Sequence, residues 1–191
     1  MKRTIVMIAA VAFAAMAVAA CTAKKAGDAA PRGPRKVLVA YFSATGTTAG
    51  VAKMIAKASK GKLYEITPRE KYSDNDLDWT DPNSRCCREN DNPDSRPAIA
   101  GKKLRPEDYS VIFLGFPNWW NGAPRIVNTF LETYGLKGKT VITFMTSGGS
   151  GIENAEKTLG RLYPEVKWKA GRLLNSASQA NIDAWVKKVL K

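Results

Sequence analysis

The sequence predicts an α/β domain, a parallel β-sheet with helices on both faces. Three observations carry that prediction. Short apolar runs stand at Lys36–Phe42, Val111–Phe116 and Thr140–Met145. They lack the alternation of a half-exposed strand, as strands buried on both faces should. Segments with helical apolar spacing separate them, the pattern of strand–helix–strand units. Each run is followed at once by a loop rich in glycine, hydroxyl or indole side chains, and ligands of parallel sheets sit beyond the carboxyl ends of the strands.

The chain opens with Lys2 and Arg3 and an unbroken apolar run from Ile5 to Ala20. That run is short for a membrane-spanning helix, which needs roughly 20 residues, and its charged start marks an export signal. It closes Val18-Ala19-Ala20-Cys21, which resembles a bacterial lipobox. The resemblance implies removal of residues 1–20 as a lipoprotein signal peptide, a lipidated Cys21 and a place in the bacterial cell envelope, on the periplasmic face or at the cell surface. Residues 21–35 are small and polar without an apolar period and read as a flexible tether. Residues 36–191 remain as one domain, within the usual size.

The remaining elements follow in order. Thr47–Lys60 carries Val51, Met54, Ile55 and Ala58 at helical spacing, with Gly61 as a stop. Lys62–Ile66 alternates as a strand. Pro124–Tyr134 is a helix with proline in its first turn and Gly135 beyond its end. Ile152–Leu162 is a helix, Val166–Ala170 the least marked strand, and Ile182–Leu190 a final amphipathic helix.

Composition narrows the chemistry. The chain has 191 residues, 45% hydrophobic and 25% charged, and no histidine. A histidine triad, a histidine-ligated metal and a histidine general base are excluded. No metal site and no catalytic side chain are expected. The formal charge of +13 fits an anionic surface or an acidic partner. Nucleic acid is not expected, because the basic residues are scattered and the chain carries an export signal.

The three loops carry the functional reading. Ser43-Ala-Thr-Gly-Thr-Thr48 follows the first strand and opens a helix. Helix N-termini hold anions, although Ser/Thr caps are also common there. The lysine of a nucleotide P-loop is missing. Gly115-Phe-Pro-Asn-Trp-Trp-Asn-Gly122 follows the second strand and presents two indoles. They fit either a platform for a planar ligand or a plug over the sheet end. Thr146-Ser-Gly-Gly-Ser-Gly151 follows the third. Its glycines permit close backbone approach to a flat ligand, as would a plain connection.

Phe42-Ser-Ala-Thr-Gly-Thr-Thr48 resembles the phosphate loop of flavodoxins. Phe116-Pro-Asn-Trp-Trp with Ala123–Leu131, followed by Thr146–Gly151, resembles a bacterial flavodoxin-like branch with a Pro-x-Trp-Trp loop. The resemblance spans about Lys36 to Lys191. It implies a flavodoxin-like three-layer sandwich, a five-stranded parallel sheet in the order 2-1-3-4-5, with FMN as cofactor. By match of motif, Ser43, Thr45, Gly46, Thr47 and Thr48 are expected at the phosphate. Pro117, Asn118, Trp119, Trp120 and Asn121 are expected at the ring, with Ser147, Gly148, Gly149 and Gly151 on its other side. Trp119 is preferred to Trp120 as the stacking indole. The strong positive charge and the export signal depart from the usual acidic, cytoplasmic flavodoxins. That charge is expected to ease reduction of the flavin, unless the stretch Asp74–Asp81 lies beside the ring.

The segment Thr67–Pro106 is too long for a plain connection and is expected to hold a short helix or a lid. Asp76–Trp79 is the expected start of that helix, with Trp79 a local anchor rather than a wall of the site. Arg85, Arg88, Arg96 and Arg105 are read as solvated partners of nearby carboxylates, ahead of a cluster for an acidic ligand. Cys86 and Cys87 are read as free thiols, since adjacent cysteines bridge only through a strained ring.

Two function classes stay open. One is an FMN protein that carries electrons or reduces a small acceptor at the outer face of a bacterial membrane, with an NAD(P)H-dependent quinone-type reductase as its variant. The other is a non-catalytic binding module on the same fold. The expected partners are the membrane through Cys21 and an acidic redox partner, with the domain itself a monomer.

Overall fold

The computed structural model describes residues 36–101 and 103–191. The expectations for the signal peptide, Cys21 and the tether lie outside the described residues.

The first strand, β1 (Val37–Tyr41), is buried along its whole length. Helix α1 (Thr47–Ser59) returns the chain to β2 (Lys62–Glu65). The long segment that follows holds β3 (Thr67–Pro68), α2 (Arg85–Asp91) and β4 (Ile99–Ala100). The main sheet resumes with β5 (Val111–Pro117), α3 (Arg125–Tyr134), β6 (Thr140–Thr146), α4 (Glu153–Leu162), β7 (Lys167–Leu173) and α5 (Gln179–Val189). The five long strands form one parallel sheet in the order β2-β1-β5-β6-β7. This is the expected 2-1-3-4-5 order of a flavodoxin-like α/β sandwich.

Side-chain alternation along β1 and β5 separates two cores. Leu38, Ala40, Ile112, Leu114 and Phe116 face α3 and α4, meeting Ile126, Phe130 and Leu159. Val37, Val39, Tyr41 and Phe113 face α1 and α5, meeting Val51, Ile55, Ile182 and Trp185. Gly115 is required between them, because a Cβ there would stand 2.0 Å from the Phe144 ring.

Three sequence expectations are corrected. The last strand runs to Leu173 rather than Ala170. Gly171 does not stop it, because its N–H donates to Glu156 Oε1 at 2.6 Å while the register slips between Ile142 and Phe144. The final helix begins at Gln179 rather than Ile182, with Ser178 Oγ accepting from the Asn181 N–H. The helix of the 67–106 segment begins at Arg85, not near Asp76, where only a 3₁₀ turn at Asn75–Leu77 forms. Asp78 Oδ1 accepts from Thr80 N and Asp81 Oδ1 from Asn83 N, and such local bonds compete with helix. Ser84 Oγ then caps α2 at the Cys87 N–H.

The 67–106 segment is tied to the sandwich. Tyr72 packs against Phe42 and Trp119 at 5.7 and 5.4 Å between ring centroids. Arg125 of α3 donates to the carbonyls of Glu89 and Asn90. Arg96 bonds Glu132 at 2.7 Å. Arg85 pairs with Glu89, Arg105 with Glu107, and Arg88 donates to the Asn83 carbonyl. Arg85, Arg96 and Arg105 are partners of carboxylates, as the first of their two sequence readings had it, whereas Arg88 bonds a backbone carbonyl.

Candidate functional site

The carboxyl ends of β1, β5 and β6 open into one cavity of about 860 Å³. That is within the range of small-molecule and cofactor sites. All three loops singled out by sequence contribute to it.

The first wall is the amino end of α1. Gly46 takes a left-handed conformation, φ 91°, which glycine adopts without the steric cost of a Cβ. Ser43 Oγ accepts from the N–H groups of Gly46 and Ala49, at 3.1 and 3.2 Å. The loop is thereby folded around its own serine, leaving Thr45 and Thr47 exposed. First-turn N–H groups of a helix have no carbonyl to bond within it, and the dipole favours an anion there. Ser43, Thr45, Thr47 and Thr48 line the cavity; Gly46 shapes the turn without lining it. The Thr48 hydroxyl already bonds Thr146 Oγ1 at 2.8 Å.

The second wall is a tight turn. Trp119 and Gly122 exchange backbone hydrogen bonds at 3.1 and 2.9 Å. Trp120 and Asn121 between them have φ of 47° and 60°. Two positive φ values in succession mark a primed hairpin turn, and the left-handed region disfavours a residue as bulky as tryptophan. Trp119 is held edge-on by Phe42 and Tyr72. Trp120 remains 44% exposed. Both indoles, Pro117 and Asn118 line the cavity, whereas Asn121 faces a smaller hollow behind the turn.

The third wall is organised by Ser147. Its Oγ accepts from the N–H groups of Gly149 and Ser150 and from Asn118 Nδ2. Its own N–H donates to Asn175 Oδ1 at 2.7 Å. Ser147, Gly148 and Gly149 line the cavity; Gly151 does not. Asn118 Oδ1 is buried without a hydrogen-bond partner. A buried acceptor left unpaired costs about 1–3 kcal/mol. An N–H donor on a flat ligand would satisfy it. The cavity therefore brings together the amino end of a helix with its hydroxyls, indole surface, and an orphaned acceptor beside a glycine-rich loop.

The sequence missed several wall residues. Leu77, Trp79 and Cys86 reach the cavity from the 67–106 segment, and Asn175 from the loop after β7. Trp79 is 73% exposed and is not the segment's anchor; Tyr72 takes that role, because its ring packs on Phe42 and Trp119 while its hydroxyl donates to Glu89. Cys86 and Cys87 are free, buried thiols in the first turn of α2. Burial raises the Cys86 thiol above its usual pKa, which disfavours the reactive thiolate. Cys87 Sγ lies 3.5 Å from the Trp79 carbonyl and helps hold that turn. The Asp-rich stretch thus stands beside the site. Asp76 is held below the usual carboxylate range by the Ser73 N–H and hydroxyl, and Asp78 by the hydroxyl and N–H of Thr80. Both are ionised at neutral pH. Among the described residues no cluster suited to a metal ion occurs.

Residues 36–189 match the family model Flavodoxin_4, described as Flavodoxin. Two solved structures described as flavoproteins are closely similar. One, from Bacteroides eggerthii, is 49% identical over 83% of this chain and 99% of its own, with a TM-score of 0.79. The other, from Bacteroides uniformis, is 52% identical over 81% and 99%, with a TM-score of 0.78. A flavoprotein from Lactobacillus acidophilus, solved in complex with FMN, is 19% identical over 83% of this chain and all of its own, with a TM-score of 0.63. It shares the fold. None of the curated proteins compared matches the chain.

Proposed function

Because the chain belongs to the flavodoxin family, we propose that it binds FMN in the cavity at the carboxyl end of the sheet. In this reading it carries electrons, or reduces a small acceptor, at the outer face of a bacterial membrane. The observation that carries the proposal is the convergence of the three loops on one cavity, with donors from the first loop and an orphaned acceptor, Asn118 Oδ1, from the second. The amino end of α1 with Ser43, Thr45 and Thr47 holds the phosphate. Trp119, Trp120 and the 147–149 backbone flank the ring, and Asn118 accepts from a ring N–H. Bound flavin supplies the electron transfer. The chain's own residues bind it, orient it and keep bulk water from its buried edge. Lipidated Cys21 tethers the domain to the envelope.

The reductase variant has one observation in its favour. Leu77, Trp79 and Cys86 extend the cavity wall beyond the three loops, which gives a small acceptor a surface to rest on. Purified protein should be yellow and show an FMN spectrum. A colourless chain that takes up no FMN would favour the non-catalytic binding module. Stopped-flow reduction with NAD(P)H separates reductase from carrier.

A further inference from the structure

In a parallel sandwich all strands start at one end, and the helices that return the chain finish there. Nine exposed lysines of this domain gather at that end. Residues 36–191 hold 24 basic and 16 acidic side chains. Lys36, Lys62 and Lys167 stand at strand starts. Lys57, Lys187 and Lys188 stand in the last turns of α1 and α5. Lys60 and Lys137 occupy the turns between, and Lys191 ends the chain; all nine are exposed. The acidic residues at this end are few: Glu165 is exposed in the turn before β7, and Glu107 and Asp108 are paired with Arg105.

The opposite end has the other sign. Residues 70–94, which supply Leu77, Trp79 and Cys86 to the cavity, contain eight acidic and three basic side chains. The seven-residue strands β5, β6 and β7 separate the two ends by about 20 Å, more than twice the ~8 Å Debye length at physiological salt. A charged surface therefore meets each end as a separate charge. Lysines at helix C-termini offset the helix dipole, which accounts for Lys57, Lys187 and Lys188. It does not account for Lys36, Lys62 or Lys167, which stand at strand starts.

We propose that the lysine-rich end opposite the cavity is a docking face for an anionic lipid surface, and that docking turns the cavity mouth outward. Charge complementarity is one argument, since polybasic surfaces bind anionic headgroups. The other is connectivity: residues 21–35 join the domain at Lys36, on this same end. The occupant, though not the charge segregation, rests on the envelope location proposed above.

The test is partition of the full chain onto phosphatidylcholine vesicles with and without phosphatidylglycerol. The ratio of the two partition coefficients cancels any acyl anchor. Lys60→Gln/Lys187→Gln/Lys188→Gln should lower that ratio roughly a hundredfold, about fivefold per lysine. Lys53→Gln/Lys71→Gln/Lys157→Gln removes equal charge from exposed positions away from that end and should leave it near wild type. On anionic vesicles, amide exchange should slow at residues 57–62 and 187–191 and not at 77–79. Equal loss in both triple variants, or protection at 77–79, overturns the proposal. A wild-type ratio near one also overturns it and leaves an acidic protein as the partner of this face. Failure of the lipid-anchor reading is seen separately, as absence of binding to phosphatidylcholine alone.

Discussion

Thr48 Oγ1 and Thr146 Oγ1 lie 2.8 Å apart, both side chains buried, and join the start of α1 to the end of β6 across 98 residues of sequence. Through this bond the loop that offers helix N–H groups is fixed against the loop that offers glycine backbone. A site assembled from separate loops needs such a tie to keep its geometry.

Replacing one member strands the other. Thr48→Val or Thr146→Val should each cost about 1–3 kcal/mol, the penalty for an unpaired buried polar group. The double variant should cost clearly less than the two single losses together, with a coupling of about 0.5–3 kcal/mol. Urea unfolding of the four proteins measures it. Additive losses would show that the hydroxyls do not depend on each other.

Thr45 is exposed at the amino end of α1 and makes no bond needed by the fold. Thr45→Ala should leave stability unchanged and weaken FMN about tenfold or more, the worth of a bond to a charged group at ~1.5–3 kcal/mol. Riboflavin, which lacks the phosphate, should bind both proteins equally. Fluorescence titration decides. Equal affinity of the wild type for FMN and riboflavin would remove the phosphate site from this loop.

Trp120 combines a φ of 47° with a 44% exposed side chain. Asparagine adopts that backbone more readily. Trp120→Asn should therefore change stability by less than about 1 kcal/mol, relief of strain offsetting lost contact. It should weaken FMN about two- to tenfold through the lost ring surface, worth ~0.5–1.5 kcal/mol beyond area. Thermal unfolding and FMN titration on one sample separate the two effects. Unchanged FMN affinity would leave Trp119 as the sole ring platform.

Glu132 accepts from Arg96 and from the Tyr163 hydroxyl, which in turn accepts from Asn128. The Arg96 bond holds the Glu132 carboxyl below its usual pKa. Burial, opposed by Asn128 and assisted by Glu132, pushes the Tyr163 hydroxyl up to about 12. A carboxyl whose pKa is lowered by folding adds stability above its unfolded pKa, about 4.3. That stability is lost as pH falls through the folded value. Arg96→Ala should thus lower the urea midpoint at pH 7, and the gap should close by about pH 3. A gap that persists at pH 3 would assign Arg96's role to packing.

The sheet and its three loops were legible because each depends on local pattern. Val37–Tyr41 and Val111–Phe116 are apolar without alternation, and burial on both faces follows from that alone. Ser43–Thr48 lies directly between a strand and a helix, so its place at the sheet end follows from chain order. Val166–Ala170 was less marked because β7 is an edge strand with Lys167, Lys169 and Arg172 exposed, as edges commonly are.

By itself the sequence determined the fold class, the strand order through its flavodoxin likeness, and which three loops would meet. The class follows from periodicity, the order from the likeness alone, and the meeting of the loops from that order and the shared direction of parallel strands. Only the tertiary structure decided what Thr67–Pro106 does. Its polar side chains carry no period, so nothing local distinguishes Tyr72, which became the anchor against Phe42 and Trp119, from Trp79, which became an exposed wall of the cavity. Nor could composition separate the lysines at one end of the sandwich from the aspartates at the other. Their distance is set by strand length and parallel topology, and charges so separated in salt act on their surroundings one end at a time.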